Sequence, residues 1–272
     1  MTAPSNTLSL GTAIVTGASS GIGAVYADRL ARRGYDLILV ARNGARLETL
    51  AQSLRSSTGR SVDLLVADLS QSADVARVEQ RLADDASITL LINNAGMSLN
   101  GDTLDNAPDE IETIIALNVT AAARLAIAAG KAFGARGKGG IVNIASILGI
   151  AFEVYEGVYA GTKGFIINLS RNLTAKLRDK GVHVQAVLPG ATRTEIWERS
   201  GKDVDAFPAE MVMDVNDLVD AALVGFDRRE EVTIPPLADE GLWTSYETAR
   251  QAMLGELSKR DLAPRYREAV TA

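Results

Sequence analysis

The sequence has no cysteine and only one histidine, which limits the chemistry that its side chains could perform. Without cysteine the chain forms no disulfide and offers no thiolate nucleophile. No cluster of histidine, cysteine and aspartate suggests a metal site, and we expect none. We expect a cytoplasmic protein, because a chain without disulfides fits that compartment, although the absence of cysteine does not require it.

Runs of positive charge and long apolar runs are missing as well. The formal net charge is −6, and without a basic run nucleic acid is not the expected partner. We find no apolar run of the roughly 18 to 20 residues that span a bilayer, so we expect no membrane partner. Residues 1–10 lack the charged start and apolar core of a signal peptide, and we predict a short flexible leader there.

Short apolar runs alternate with longer helical periods along the rest of the chain. Strands are predicted at residues 12–16, 36–41, 62–66, 89–93, 140–146, 182–188 and 231–234, and helices at 22–33, 44–57, 71–84, 107–135, 159–180 and 214–227. Apolar strands separated by helices form parallel sheets that are covered on both faces. The sequence predicts an α/β fold, a single-domain Rossmann-type doubly wound sheet of about seven parallel strands, with ligands at the carboxyl ends of the strands.

One dinucleotide-binding and catalytic domain is expected over residues 11–272. Within it we predict a lid at about residues 193–213 and a C-terminal extension at about 235–272. Trp243 and Tyr246 lie in a helix-like segment of that extension. The segment could cover the site, contact another subunit or complete the core, and the sequence does not decide among these roles.

Ser146, Tyr159 and Lys163 are spaced as carbonyl chemistry requires. Tyr159 and Lys163 are four residues apart, so they share one face of a helix that begins near Tyr159. Ser146 ends an apolar run, which predicts a hydroxyl at the carboxyl end of a strand. Lowering the pKa of tyrosine from about 10 to about 7 takes roughly 4 kcal/mol, and a lysine charge about 4 to 5 Å away supplies most of it. Taken alone, the pair is more often a solvated helix edge.

A glycine-rich turn from Thr16 to Gly23 follows the first predicted strand and precedes the first predicted helix. In that context glycines allow a tight turn and let the backbone approach a pyrophosphate, which binds at the helix N-terminus. The predicted contacts are Gly17, Ser19, Ser20, Gly21, Ile22 and Gly23. A flexible loop is the alternative.

The end of the second predicted strand indicates the cofactor. Asp36 lies at the amino end, whereas Arg42 follows the carboxyl end, where a guanidinium can pair with a 2′-phosphate. We favour NADP(H), with NAD(H) possible, and an exposed or helix-capping Arg42 is the alternative. Asp68, beside Leu69, is predicted to accept a hydrogen bond from the adenine amino group or to cap the next helix.

Amides and small residues follow the fourth predicted strand. Asn94, Ala95 and Gly96 are expected to tie neighbouring strands together and to let the backbone approach the cofactor. Asn118 lies in an apolar helical segment, and by itself a buried amide there favours a structural role. His183, in an alternating strand, is also expected to be structural.

Taken in chain order, these motifs resemble the classical short-chain dehydrogenase/reductase family. The resemblance rests on Thr16 to Gly23, Asn93 to Gly96, Asn118, Ser146, Tyr159-x-x-x-Lys163 and Pro189-Gly190, and it covers about residues 10–235. It implies a domain that binds a nicotinamide dinucleotide and a catalytic tetrad. Tyr159 would be the general acid or base, and Ser146 would orient the substrate oxygen. Lys163 would bind the nicotinamide ribose and lower the pKa of Tyr159, and Asn118 would hold a water in a proton relay.

The resemblance also implies roles outside the tetrad. In the loop after the sixth predicted strand, Pro189, Gly190, Thr192 and Thr194 would hold the nicotinamide carboxamide and the diphosphate. Members of the family commonly form dimers or tetramers through the helices predicted here at 107–135 and 159–180. We therefore expect a homo-oligomer.

Substrate choice is expected to come from loops above the site, with Leu148, Phe152, Tyr155 and Trp197 as pocket residues. This mostly apolar lining favours a medium-sized, partly hydrophobic ketone or aldehyde, although the aromatics could equally pack against the lid. The expected function is an NADP-dependent oxidoreductase acting on a small-molecule carbonyl or secondary alcohol. The alternatives are an NAD-dependent dehydrogenase of a sugar, steroid or hydroxy-acid and a non-catalytic dinucleotide sensor.

Overall fold

Seven parallel strands form one sheet in the computed structural model, which describes residues 10–154 and 157–267 without the side chain of Val154. The strands are β1 Thr12–Thr16, β2 Asp36–Ala41, β3 Val62–Val66, β4 Ile88–Asn93, β5 Gly139–Ile144, β6 Val182–Val187 and β7 Val232–Thr233. Their spatial order is β3-β2-β1-β4-β5-β6-β7. The order reverses between β1 and β4, and in such sheets the crevice beyond the carboxyl ends of those two strands receives the ligand.

Helices cover both faces of this sheet. They are α1 Gly21–Arg32, α2 Gly44–Thr58, α3 Ser72–Asp84, α4 Pro108–Ile115, α5 Ala122–Arg136, α6 Gly157–Leu177, α7 Ile196–Arg199, α8 Val215–Asp227 and α9 Glu240–Ala252. Alternate residues of one strand point to opposite faces, so Ala13 and Val15 pack with α1, α2 and α8, while Ile14 packs with α3 and α5. The predicted Rossmann-type α/β fold is confirmed.

One long helical stretch differs from the single helix predicted at 107–135. Between α4 and α5 the residues Ala116–Ala121 form a π-helical turn. Pro108–Arg136 as a whole is 29 residues long and apolar enough, by length and composition, to cross a membrane. Its residues Leu125, Ala129 and Phe133 are fully buried within the core beneath the sheet. By this measure the expectation of no stretch apolar enough to span a bilayer is wrong. Of the apolar window 44% is buried, and a buried core helix passes the same test.

The chain divides after Pro236 into two units. The first holds the sheet and helices α1 to α8. In the second, Asp239 accepts a hydrogen bond from the backbone of Gly241 at the start of α9, and the rings of Trp243 and Tyr246 stack 5.2 Å apart. The helix-like segment of the predicted extension is therefore a helix.

Candidate active site

The turn between β1 and α1 is fastened to the end of β4 by one hydroxyl. Thr16 Oγ1 accepts hydrogen bonds from the backbone amides of Asn94 and Ala95, each at 2.9 Å, and donates to the carbonyl of Ile92 at 3.3 Å. The side-chain amide of Asn94 donates to the Thr16 carbonyl at 2.9 Å. These hydrogen bonds therefore fix the β1–α1 turn and the loop after β4 relative to each other.

Two glycines of this turn are required by space. Gly17 has φ of 65°, and a β-carbon there would lie 2.8 Å from Asn94 Nδ2. At Gly23 a β-carbon would overlap the carbonyl oxygen of Gly17 and lie 2.6 Å from Asn94 Nδ2. Among the described residues no side chain caps the start of α1 at Ser20. The backbone amides at this helix start thus suit an anion such as a pyrophosphate.

Gly23→Ala should lower the free energy of unfolding by about 1 to 3 kcal/mol, because the added methyl group enters a packed turn. It should also weaken dinucleotide binding. The matched control is Gly161→Ala in α6, where a β-carbon meets nothing within 4 Å and helix propensity favours alanine by roughly 0.5 to 1 kcal/mol. Urea unfolding of both variants and of the parent chain measures the change in the free energy of unfolding. Equal stability of the two variants would contradict the packing of the turn.

Lys163 is buried beneath the predicted catalytic groups, with 6% of its surface exposed. Its Nζ donates a 2.9 Å hydrogen bond to the carbonyl of Ile144, the last residue of β5. Burial lowers the pKa of Lys163 from 10.5 to about 8, because the apolar surroundings disfavour the charged form. The ammonium is thus charged at neutral pH and loses its proton in mildly alkaline solution.

Tyr159 lies one helical turn before Lys163 on α6. Lys163 Nζ lies 5.5 Å from the centroid of the Tyr159 ring, so the phenol and the ammonium share one small volume. Thr162, which lies between them in the chain, is buried. Its Oγ1 donates a hydrogen bond to the carbonyl of Tyr159 at 2.7 Å. This bond fixes the turn of helix that carries both groups.

Ser146 lies two residues beyond the end of β5, so the prediction that the strand extends to residue 146 is wrong. The backbone leaves the sheet after Ile144 and forms a short 3₁₀ turn, Ile147–Gly149, with Ser146 at its start. Ser146 Oγ accepts from the amide of Leu148 at 3.1 Å and donates to the carbonyl of Pro189 at 3.5 Å. The second bond is at the limit of hydrogen bonding, so the hydroxyl proton is available to a better acceptor.

Asn118 lies in the π-helical turn and has 2% of its surface exposed. Its Oδ1 accepts from the amide of Met97 at 2.9 Å, and its Nδ2 donates to the Met97 carbonyl at 2.8 Å and to Thr162 Oγ1 at 3.2 Å. A β-carbon on Gly96 would lie 3.2 Å from Asn118 Oδ1 and 3.6 Å from Lys163 Nζ. The structure therefore brings Asn118 and Lys163 together, with the amide anchoring the loop after β4.

The residues predicted to bind the adenosine half lie at the ends of β2 and β3. Arg42 is exposed and has no ion-pair partner among the residues that the structure describes. Asn43, not Arg42, caps α2 by accepting from the amide of Arg46 at 3.0 Å. Asp36, at the other end of β2, pairs with Arg60. The helix-capping alternative for Arg42 is thus excluded, whereas the alternative of an exposed Arg42 and the predicted 2′-phosphate contact both stay open.

Asp68 does not cap the following helix, which corrects one of its two predicted roles. The helix α3 begins at Ser72 with Gln71 at its N-cap. Asp68 Oδ1 instead accepts from the amide of Ser70 at 3.0 Å and from its hydroxyl at 2.8 Å. Leu69 is buried, with 5% exposed. Among the described residues no donor meets the second carboxylate oxygen of Asp68, and the adenine contact stays a prediction.

The loop after β6 lies against both the serine turn and the glycine-rich turn. The carbonyl of Pro189 accepts from the amide of Ile147 at 3.0 Å, and buried Thr192 donates to the carbonyl of Gly190 at 3.0 Å. A β-carbon on Gly21 would lie 3.3 Å from the β-carbon of Thr194. Thr194 is therefore adjacent to the start of α1.

The predicted pocket residues differ in their burial and in their contacts. Leu148 is half-buried in the turn after Ser146, and Phe152 is 60% exposed. Trp197 donates from Nε1 to the carbonyl of Thr192 at 2.7 Å, and its ring lies 5.1 Å from that of Phe207. Trp197 thus packs within the lid, as the alternative reading allowed. Tyr155 lies outside the described residues.

Sequence reasoning missed two threonines that organise the site. Thr16 joins the glycine-rich turn to β4, and Thr162 joins Asn118 to the helix turn of Tyr159. In the sequence, the only sign of this role is that each threonine directly precedes a glycine or a lysine of a predicted motif. A buried hydroxyl by itself is no sign, because it usually bonds to a nearby backbone group.

Comparison with known proteins decides the family. Residues 11–205 match the family model described as short chain dehydrogenase. The chain belongs to the short-chain dehydrogenase family. Among curated relatives of this dehydrogenase are human 17-beta-hydroxysteroid dehydrogenase type 3, 33% identical over 67% of the chain, and very-long-chain 3-oxoacyl-CoA reductase-A of Danio rerio, 34% identical over 68%. The chain spans 59% of the length of each of these relatives.

Solved structures of other short-chain dehydrogenases match over nearly the whole chain. One is a short-chain dehydrogenase from Sphingobium yanoikuyae in complex with NADPH, with 52% identity and a TM-score of 0.92, covering 95% of this chain and 100% of that one. Another is the bulky-bulky ketone specific alcohol dehydrogenase from Comamonas testosteroni, with 47% identity and a TM-score of 0.88, covering 95% and 99%. The resemblance inferred from the motifs is therefore confirmed at the level of the family.

Proposed function

We propose that this short-chain dehydrogenase is an NADP(H)-dependent oxidoreductase that interconverts a bulky, partly hydrophobic ketone and the corresponding secondary alcohol. The observation that carries the proposal is the convergence of Tyr159, Lys163 and Asn118 beside the serine turn of Ser146, at the carboxyl ends of β4 and β5. The similarity to a structure in complex with NADPH and to a bulky-bulky ketone specific alcohol dehydrogenase supports the cofactor and the substrate class.

A nicotinamide dinucleotide, when bound, supplies or accepts the hydride. The start of α1, with Gly17 and Gly23, would hold the diphosphate, Arg42 the 2′-phosphate, and Lys163 the nicotinamide ribose. Tyr159 would donate a proton to the carbonyl oxygen during reduction and take one from the alcohol during oxidation. Ser146 would donate its weakly engaged hydroxyl proton to the same oxygen and stabilise its developing charge.

The charge of Lys163 supports the proton transfer by Tyr159. Lys163 Nζ lies 5.5 Å from the centroid of the Tyr159 ring, and charges separated by about that distance attract by about 3 kcal/mol at an effective dielectric near 20. Asn118 would hold a water of the proton relay through a group other than its side-chain N–H groups. Both N–H groups of its side chain are engaged by Met97 and Thr162, so a relay water would be held by the remaining lone pair of Oδ1 or by the backbone of the π-helical turn.

The homo-oligomer remains a prediction. Ile127 of α5 and Phe165 of α6 are apolar and about two fifths exposed, at 41% and 39%, and contact between copies through these helices would cover them.

The test of the proposed function is a screen for NADPH and NADH consumption over bulky ketones, aldehydes, diketones, sugars and oxosteroids. The oxidised cofactors are tested in parallel on bulky secondary alcohols, sugars, hydroxysteroids and hydroxy-acids. Fastest turnover of bulky ketones with NADPH is expected. Fastest turnover of a sugar, steroid or hydroxy-acid with NAD would favour the alternative dehydrogenase. Cofactor binding without turnover across the whole panel would instead favour a non-catalytic sensor.

Arg42→Ala should raise the dissociation constant of NADPH by about 10- to 100-fold, because a charge-assisted contact contributes roughly 1.5 to 3 kcal/mol. Binding of NADH, which lacks the 2′-phosphate, should change no more than a few fold. Isothermal titration of both cofactors measures the difference, with the exposed Arg228→Ala at the end of α8 as control. Equal losses for NADPH and NADH would exclude the 2′-phosphate contact.

A further inference from the structure

One carboxylate links two arginines from separate parts of the cofactor crevice. Glu195 Oε2 accepts from Arg46 Nη1 at 2.6 Å and from Arg199 Nη2 at 2.6 Å. The same Arg199 nitrogen donates to Ser20 Oγ at 3.1 Å. Glu195 lies near the start of the predicted lid, residues 193–213, and directly precedes α7.

The partners of this carboxylate identify its place. Arg46 lies in the first turn of α2, four residues after Arg42, and Ser20 directly precedes α1. The carboxylate therefore reaches the beginning of α2 directly, through Arg46, and the beginning of α1 only through Arg199. These are the positions at which the sequence predicts the 2′-phosphate and the diphosphate of the cofactor.

The ion pairs of Glu195 with Arg46 and Arg199 can be replaced by an arginine–phosphate pair at little cost. The side chains of Glu195, Arg46 and Arg199 are 39%, 49% and 54% exposed, and exposed ion pairs contribute little to stability. Hydrogen bonding from Arg46, helped by Arg199, lowers the pKa of Glu195, so the carboxylate is ionised at neutral pH. A phosphate carries more charge than a carboxylate and offers more acceptor oxygens to a guanidinium.

We propose that Glu195 is an internal competitor of the cofactor's 2′-phosphate for Arg46, and that Arg46 joins Arg42 in selecting NADP over NAD. Binding of NADPH then exchanges the Arg46–Glu195 ion pair for an Arg46–phosphate pair and releases this end of the lid. NADH brings no 2′-phosphate and leaves the ion pair intact. The inference rests on the proposed dinucleotide-binding function and adds a specificity-determining pair to it.

The test compares dissociation constants of NADPH, NADH and 2′,5′-ADP, measured by isothermal titration with the full chain. Glu195→Gln should tighten NADPH and 2′,5′-ADP by about 3- to 10-fold, because a competitor is removed, and should leave NADH unchanged. The matched control is Glu198→Gln, an exposed carboxylate of the same short helix without an ion pair among the described residues. It should bind all three ligands like the parent chain.

A double-mutant cycle isolates the contact. Arg46→Ala should weaken NADPH by 5-fold or more, and in that background Glu195→Gln should no longer tighten it. Weaker or unchanged NADPH binding in Glu195→Gln, or an equal change for NADH, would overturn the competition. If the parent chain binds no dinucleotide, the proposed function itself fails. If the parent chain binds NADPH more tightly than NADH, and Glu195→Gln has the same dissociation constants as the parent chain, only this inference fails.

Discussion

Tyr159→Phe is expected to lower the turnover number by roughly a hundredfold to ten-thousandfold, the range that general acid–base catalysis contributes. The phenylalanine ring keeps the volume of the side chain but has no proton to donate. Dissociation constants for NADPH should change no more than a few fold, because only the hydroxyl is lost. Steady-state kinetics on the best ketone from the screen, together with cofactor titration, measures both effects.

The control for this substitution is Tyr35→Phe, which removes a phenolic hydroxyl directly before β2, at the amino end of the strands and away from the site at their carboxyl ends. Its turnover should equal that of the parent chain. If Tyr159→Phe retains full turnover on any good substrate, Tyr159 is not the proton donor. A loss of cofactor binding equal to the loss of turnover would instead indicate a disturbed fold.

Lys163→Met is expected to lower activity about a hundredfold and to raise stability at pH 7. Activity falls because the phenolate loses about 3 kcal/mol of attraction to the ammonium. Stability rises because burial lowers the pKa of Lys163 from 10.5 to about 8, which costs the folded state about 3 kcal/mol when the amine is charged. The lost hydrogen bond to the carbonyl of Ile144 offsets part of this gain, leaving about 1 to 2 kcal/mol.

The stabilisation by Lys163→Met depends on pH with a defined sign. Below about pH 8 lysine is protonated in both folded and unfolded chains, and the parent chain bears the full cost. Between about 8 and 10.5 the unfolded chain binds more protons, so the parent chain gains stability as pH rises and the advantage of methionine disappears. Reduction by the parent enzyme should decline as pH rises through about 8, where Lys163 of the folded chain loses its charge.

Urea unfolding of both chains from pH 6 to about 10.5 measures this difference, with Lys131→Met on the exposed side of α5 as control. The control should show no pH-dependent difference from the parent chain. A constant difference between Lys163→Met and the parent across the range would show that the buried amine does not carry the predicted cost.

Much of the sheet could be predicted because its strands are mostly apolar. The strands β1, β2 and β3 begin and end at the predicted residues, since each is bounded by polar or glycine-rich turns. The error at β5 has a physical reason. Ala145 and Ser146 are as buried as a strand, but Ser146 binds the amide of Leu148 and turns the chain out of the sheet. Burial alone therefore does not distinguish the last residues of a strand from a buried turn that follows it.

The sequence by itself determined the residue types of the site and their order along the chain. The spacing of Tyr159 and Lys163 determines that they share a helix face, and the glycines of the first turn determine where a phosphate can approach, because both are local properties of the backbone. Contacts between distant segments were decided by the tertiary structure alone. Asn118 meets Met97 and Thr162, and Glu195 meets Arg46, only because the sheet order brings the ends of β2, β4 and β6 to one edge.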